Sequence, residues 1–149
     1  MIEIERKFLI KEPIVLLAKL INGNQIHQGY LFTENAKSCR VRMKGAKGFL
    51  TLKFGTDLLS RNEFEYEIPF EEACELLSQC DKVLQKTRYE IPVGNHVWEI
   101  DVFSGALDGL ILAEIELSDA DETIQLPSWV GEEVTHDPKY LNVNLINGL

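Results

Sequence analysis

Charged side chains recur in this chain at intervals of two, and each short run carries mostly one sign. The acidic runs are Glu3-Ile4-Glu5, Glu63-Phe64-Glu65-Tyr66-Glu67, Glu99-Ile100-Asp101 and Glu114-Ile115-Glu116. The basic ones are Arg40-Val41-Arg42 with Lys44, and Lys86-Thr87-Arg88, to which Thr51-Leu52-Lys53 adds one more cation. On a β-strand, residues i and i+2 point to the same face. Each run therefore presents like charges side by side, which repel. A single strand of this kind is ordinarily just the solvated face of a sheet. A solvated face, however, usually mixes Ser, Thr, Asn, Gln and both charge signs. Segregation by strand makes sense if ions relieve the repulsion. Carboxylates without Cys or His clusters suit hard cations, magnesium or manganese. Arg and Lys suit phosphate oxygens. Acids and bases meeting in one cavity would form a metal–polyphosphate site, and phosphoryl transfer asks little of a protein beyond positioning and charge neutralisation. No Gly-rich phosphate loop is present, so side chains must hold the phosphates. No Ser or Cys sits in a nucleophile elbow, and His27, His96 and His136 are far apart in sequence.

The elements that must position these groups follow from the same period of two. Eight strands are predicted, at Ile2–Ile10, Gln25–Thr33, Ser38–Lys44, Phe49–Phe54, Arg61–Ile68, Val83–Ile91, Val97–Phe103 and Leu110–Leu117. Leu84 is an apolar exception on the charged face of its strand. Three helices are expected: one after Pro13 over Ile14–Ile21, one opened by Pro69-Phe70-Glu71-Glu72 and running to about Gln79, and one capped by Asp137-Pro138 near Lys139–Leu145. Gly94-Asn95 reads as a hairpin turn. Short connections imply an antiparallel sheet, and eight strands can close into a barrel. The expected fold is α+β but mainly β, an eight-stranded antiparallel closed barrel with a charged interior and a few helices packed outside. Trp98 and Trp129 read as packing residues.

The chain has 149 residues, 45% hydrophobic and 26% charged, which suits one domain spanning 1–149 with a core of its own. The net charge of −9 argues against wrapping a nucleic-acid duplex. Cys39, Cys74 and Cys80 are odd in number and widely spaced, against a disulfide framework or zinc site and in favour of reduced thiols. Met1 to Lys11 is too charged for a secretory signal, and no apolar run approaches the ~20 residues of a membrane span. A soluble, cytoplasmic protein is expected, with outward apolar strand faces that fit a homodimer.

Taken as an ordered set, the motifs resemble the triphosphate tunnel metalloenzymes of the CYTH superfamily. Glu3-Ile4-Glu5-Arg6-Lys7 is similar to their opening Glu-x-Glu-x-Lys signature. Gln28-Gly29-Tyr30-Leu31 and the charged strands after it resemble the successive barrel motifs, and Val134-Thr135 with Tyr140-Leu141-Asn142 resembles the family's end. The resemblance implies a tunnel that binds triphosphates with magnesium or manganese. Glu3, Glu5, Glu114 and Glu116 would bind metal, with Asp101 and Glu63 or Glu65 helping at a second metal or the attacking water. Arg40, Arg42, Lys53, Lys86 and Arg88 would grip phosphates. Lys7 would lie near them and steady the leaving oxygen, Tyr30 would sit over the tunnel entrance, and Glu67 and Lys44 would stand at the mouth. Family activities include inorganic triphosphatases, thiamine triphosphatases, class IV adenylate cyclases and RNA triphosphatases. The short chain leaves no segment for reading a base or thiazole, so hydrolysis of tripolyphosphate to pyrophosphate and phosphate is the expected reaction. ATP cyclisation, thiamine or nucleoside triphosphate hydrolysis, and a non-enzymatic polyphosphate-binding module are the alternatives.

Overall fold

The computed structural model describes residues 1–148. Its strands are β1 (Ile2–Ile10), β2 (Asn24–Glu34), β3 (Lys37–Lys44), β4 (Lys47–Phe54), β5 (Ser60–Ile68), β6 (Leu84–Val93), β7 (His96–Ser104), β8 (Ile111–Leu117) and β9 (Val130–Glu133). The helices are α1 (Pro13–Leu17), α2 (Phe70–Ser78) and α3 (Asn142–Asn147). Neighbours run β5-β4-β3-β2-β6-β7-β8-β1, all antiparallel, and β1 returns to β5, closing a ring of eight. Three two-residue turns tighten the meander: Asn35-Ala36, Gly45-Ala46 and Gly94-Asn95. Each opens on a residue with positive φ, Asn35 at 51°, Gly45 at 58° and Gly94 at 61°, as the twist of tight hairpins demands.

The ring closes over a short seam. β1 pairs with β5 only at Ile2↔Asn62, Glu3↔Arg61 and Ile4↔Ser60. Further along the same edge, β9 takes over at Phe8↔Glu133 and Ile10↔Val130. Between them the Glu5 amide donates to the Leu59 carbonyl and the Val134 amide to the Lys7 carbonyl. The edge of β1 thus stays paired along its length, as buried backbone requires. β9 is a ninth strand that the periodicity does not reveal: Val-Gly-Glu-Glu is too short to alternate.

Apolar side chains pack in three places. Phe8, Trp98, Ile100, Ala113 and Ile115 face outward from β1, β7 and β8 and are covered by Leu16 of α1 and by Trp129 and Val130. Trp98 meets Phe8 and Trp129 edge-to-face, with ring centroids 5.4 and 5.5 Å apart. Ala73 and Leu77 of α2 cover Val41 on the outer face of the β2–β4 region. The third cluster is inside. Leu84, Phe103 and Leu112 point into one end of the barrel, where Leu145 and Ile146 of α3 meet them. Leu84 is therefore no stray on a charged face: it belongs to an apolar floor.

The expected helix near Lys139–Leu145 is split. A 3-10 turn at Pro138–Tyr140, with Asp137 accepting from the Lys139 amide, precedes α3. α3 does not pack outside but plugs the ring, making the tunnel a cup. α1 stops at Leu17, short of Ile21. Beyond the part covered by α2, the outer face of β4 and β5 stays bare, with Phe54, Phe64 and Tyr66 exposed. Among the described residues no helix is long and apolar enough to cross a membrane.

Replacing Trp98 by Ala should remove about 3–5 kcal/mol of stability, because α1 and the residue 118–129 segment cannot follow the ring inward. Chemical denaturation of wild type and variant measures it; a loss under about 1 kcal/mol would contradict the external core described.

Candidate active site

Strand parity aims the charged runs at one another. Above the apolar floor lies a cavity of about 170 Å³ whose lining residues are all charged except Asn142. One wall carries Arg40, Arg42, Lys44, Lys53 and Arg88, from β3, β4 and β6. The facing wall carries Glu3, Glu5, Glu99, Glu114 and Glu116, from β1, β7 and β8, with Glu63 and Glu65 of β5 beside them. A wider open groove of about 960 Å³ adjoins the rim, where Glu122 contacts the His96 ring, but no Lys or Arg lines it. The inner cavity, unlike the groove, offers both signs of charge.

The deepest layer is already neutralised. Asp101 is fully buried and accepts from Lys86 Nζ at 2.7 Å, Arg88 Nε at 2.7 Å and Arg88 Nη2 at 2.8 Å. Burial works to raise its pKa, but Arg88 and Lys86 outweigh that and hold the carboxyl far below the usual range. Burial, ahead of every neighbour, lowers Lys86 to about 7. Glu114 sits 3.4 Å from Lys7 and 3.3 Å from Arg88; these cations overcome its burial and bring it to about 2. Lys86 lies behind Asp101 and does not line the cavity. As found, it braces Asp101.

The next layer is incompletely paired. Lys53 bridges Glu3 at 2.8 Å and Glu63 at 3.2 Å. Burial raises Glu3, while contact with Glu3 and Lys53 lowers Glu63 against its own burial. Arg40 reaches Thr51 Oγ1 at 3.2 Å and Glu65 at 3.5 Å, and the Thr51 hydroxyl donates to Glu65 at 3.0 Å. Arg42 is 7% exposed and forms no ion pair among the described residues. Its Nε donates to Gln28 Oε1 at 3.0 Å, and burial, with Arg40 and Arg88 nearby, lowers it to about 9. A buried guanidinium without a carboxylate is expensive. An anion among Arg40, Arg42 and Arg88 would offset that cost.

The acids show the matching deficit. Burial, then the charge of Glu114, raises Glu5; burial, then Glu3, Glu99 and Glu5, raises Glu116. Neither Glu5 nor Glu116 forms an ion pair among the described residues. No three carboxylates already stand in a metal-binding arrangement among these residues. Still, mutually repelling carboxylates on one wall are the donor set a hard divalent cation would take, so Glu3, Glu5 and Glu116 fit such a metal.

One expected position differs. Tyr30, opposite Arg40 in the β2–β3 register, lies at the floor with Leu84 and Leu112, away from the mouth. Its pairing with Arg40 continues the unbroken register of Gln28 with Arg42, and the register shifts only beyond it, before Phe32. Lys7 donates to the Tyr140 carbonyl at 2.9 Å and so ties the plug to β1. Glu67 stands at the rim, 4.0 Å from Lys47 and solvated. Gln28, Thr51 and Asn142 are additions. Thr51 shares parity with Lys53, which was a readable signal; Gln28 has no charged neighbour of its own parity on β2, and Asn142 reaches the cavity only because α3 turns inward.

Known proteins can now be set beside this geometry. Residues 1–147 match the CYTH domain. The chain belongs to the CYTH family. It is 44% identical over 146 residues to the inorganic triphosphatase of Acetivibrio thermocellus, covering 97% of this chain and 92% of that one. It is 37% identical over 148 residues to the inorganic triphosphatase of Nitrosomonas europaea, with 95% of each chain covered. The crystal structure of an inorganic triphosphatase superposes with a TM-score of 0.66 at 33% identity, covering 97% of this chain and 93% of its own. A putative adenylyl cyclase from Hippeastrum with a dominant triphosphatase activity shares the fold at 16% identity and a TM-score of 0.55, over 79% of this chain and 80% of its own. This CYTH chain thus carries the family's barrel with its opening Glu-x-Glu-x-Lys on β1.

Saturating this protein with manganese or magnesium at about 100 times the dissociation constant should stabilise it by about 2.7 kcal/mol, raising its thermal midpoint by about 5–10 °C. Glu5→Gln should lose most of that rise. Scanning calorimetry with and without chelator measures it; an equal rise in both proteins would remove Glu5 from the metal site.

Proposed function

We propose that this CYTH protein hydrolyses inorganic triphosphate to pyrophosphate and orthophosphate with magnesium or manganese. One observation carries the reading: Arg42, buried and without a carboxylate, points with Arg40 and Arg88 into a cavity lined by no apolar or aromatic side chain. A nucleotide's base finds nothing there to stack on, whereas a bare polyphosphate meets charge on every side. The curated relatives of Acetivibrio thermocellus and Nitrosomonas europaea, both inorganic triphosphatases, support the same substrate.

In this reading Arg40, Arg42, Arg88 and Lys53 bind the chain's oxygens and carry the charge that shifts as the terminal phosphoryl group leaves. Arg42 is pre-aimed: its Nε is held by Gln28, so its two terminal nitrogens face the cavity. Glu3, Glu5 and Glu116 would hold the metal, with Asp101 and Glu114 behind them fixing Arg88 and Lys86. A bound metal would supply charge to neutralise phosphate oxygens and to lower the pKa of a water. Glu63 and Glu65, acceptors on the β5 wall, orient that water and take its proton. Lys7 secures the floor through Tyr140 and steadies the leaving oxygen from beneath. Tyr30 closes the floor beside it.

The three cysteines carry no disulfide, which supports a cytoplasmic setting. The bare aromatic strip on β4 and β5 fits a homodimer.

Phosphate release from tripolyphosphate with either metal is the test. Arg42→Ala should lower kcat by about 10²–10³, and Glu5→Gln should nearly abolish turnover, both with unchanged circular dichroism. ATP incubated in parallel should give little cyclic AMP. Undiminished wild-type turnover in excess chelator would overturn the metal's role, and tight tripolyphosphate binding without turnover would leave a binding module instead.

A further inference from the structure

Behind the plug lies a second cavity, of about 310 Å³ and open to solvent, lined by Lys37, Lys53, Arg61, Ser38, Asn144 and Asn147 among others. A narrow neck of about 20 Å³ lies between it and the catalytic cavity and shares lining residues with both. Arg40, Lys53 and Arg61 line that neck, and Leu141 with the first residues of α3, Asn142 and Val143, forms its partition. Lys53 faces all three spaces.

The charges here are unbalanced. The register Glu3↔Arg61 turns Arg61 inward at the seam of the ring. Lys53 spends itself on Glu3 and Glu63, but neither Arg61 nor Lys37 forms an ion pair among the described residues. Arg40, 5% exposed, has its Nε without a hydrogen-bond partner. Both Arg40 and Arg61 press like charge on Lys53. Among the neck's lining residues Glu5 is the one carboxylate, against Lys7, Arg40, Lys53 and Arg61. In a chain of net charge −9, a cationic enclosure of this kind is not a by-product of composition. Hydroxyl and amide groups of Ser38, Asn144 and Asn147 add hydrogen-bonding capacity. The chemistry that relieves such a site is a phosphate group, taken by a forked guanidinium and an ammonium.

We propose that Arg61 and Lys37 form a second phosphate site behind α3, in line with the catalytic cavity. The proposal rests on the triphosphatase reading. Its ligand comes from one of two sources: orthophosphate released by the reaction, or the far end of a chain longer than three phosphoryl groups. Either way no covalent step occurs there.

Calorimetric titration of the intact protein with inorganic phosphate should show two sites per chain. Lys37→Glu, an exposed change that spares the fold, and Arg61→Gln should each weaken one of them about tenfold. Arg42→Ala should weaken the other. Kinetics separate the sources. If the site takes a chain end, Lys37→Glu lowers kcat/KM for tetrapolyphosphate about tenfold and leaves tripolyphosphate within twofold. If it takes orthophosphate, both substrates keep their kcat/KM and the inhibition constant for added phosphate rises about tenfold. A single phosphate site in wild type, or variants with wild-type values in all three measurements, would overturn the proposal. Absence of any tripolyphosphate hydrolysis by wild type would overturn the triphosphatase reading instead, while the titration would still count the sites.

Discussion

The whole interior depends on one ion-paired cluster, Lys86 and Arg88 closing on Asp101. A charge moved alone into a protein interior costs several kcal/mol even after relaxation. Here three charges are buried together, joined by bonds of 2.7–2.8 Å, and Arg88 extends the cluster to Glu99 and Glu114. The cluster ties β6 to β7 and β8 from inside, where another barrel would use leucines. It also sets the orientation of Arg88, whose guanidinium is held on three sides before any ligand arrives. Replacing such a cluster by apolar residues is often neutral or favourable for stability. Its presence therefore argues for function: it establishes a fixed positive surface that needs no reorganisation when charge develops on a substrate.

Charge then falls into two layers with different tasks. The deep layer of Asp101, Lys86, Arg88 and Glu114 is self-compensating. The layer nearer the mouth is not, since Arg42 lacks an acid while Glu5 and Glu116 lack bases. The two deficits are on opposite walls, and side chains held by a closed sheet cannot swing across to cancel them. The protein stores an electrostatic mismatch whose relief requires a cation and a polyanion together. Each alone relieves only its own wall: an anion leaves the glutamates opposed, and a cation leaves Arg42 without a counter-charge.

Much of this was legible in sequence because a strand exposes its parity. All eight ring strands, the inward set Glu3, Glu5, Arg40, Arg42, Lys53, Arg88, Glu114 and Glu116, and the packing role of Trp98 follow from alternation alone. What alternation cannot carry is where the tunnel ends. Leu84 looked anomalous only because parity says which way a side chain points and nothing of what lies at that height. The apolar floor is assembled from single residues on β6, β7 and β8 plus α3, and no local window contains it. β9 escaped for a related reason: its four residues gain their meaning from an edge that β5 leaves free. Tyr30 shares the parity of Gln28, but its height at the floor is set by pairing with Arg40 on the neighbouring strand, which no local window shows.

Filling the barrel with charge removes the usual place for a hydrophobic core, so burial must be found elsewhere. Leu16, Trp129 and Val130 supply it on one outer face, and Ala73 with Leu77 on another. The final stretch of the chain serves both surfaces. Trp129 and β9 seal the outside against β1, and a dozen residues later α3 seals the inside. Lys7 is where the two meet: its amide donates to Thr135 Oγ1, its carbonyl accepts from Val134 and its ammonium donates to the Tyr140 carbonyl. The lysine that ends the opening Glu-x-Glu-x-Lys run is thus bound by three contacts to residues more than a hundred positions away. Sequence-distant closure of this kind is slow to form. It also means that the depth of the catalytic cup and the integrity of its outer wall are fixed by the same hydrogen bonds, so the cavity gains its floor only when the barrel is complete.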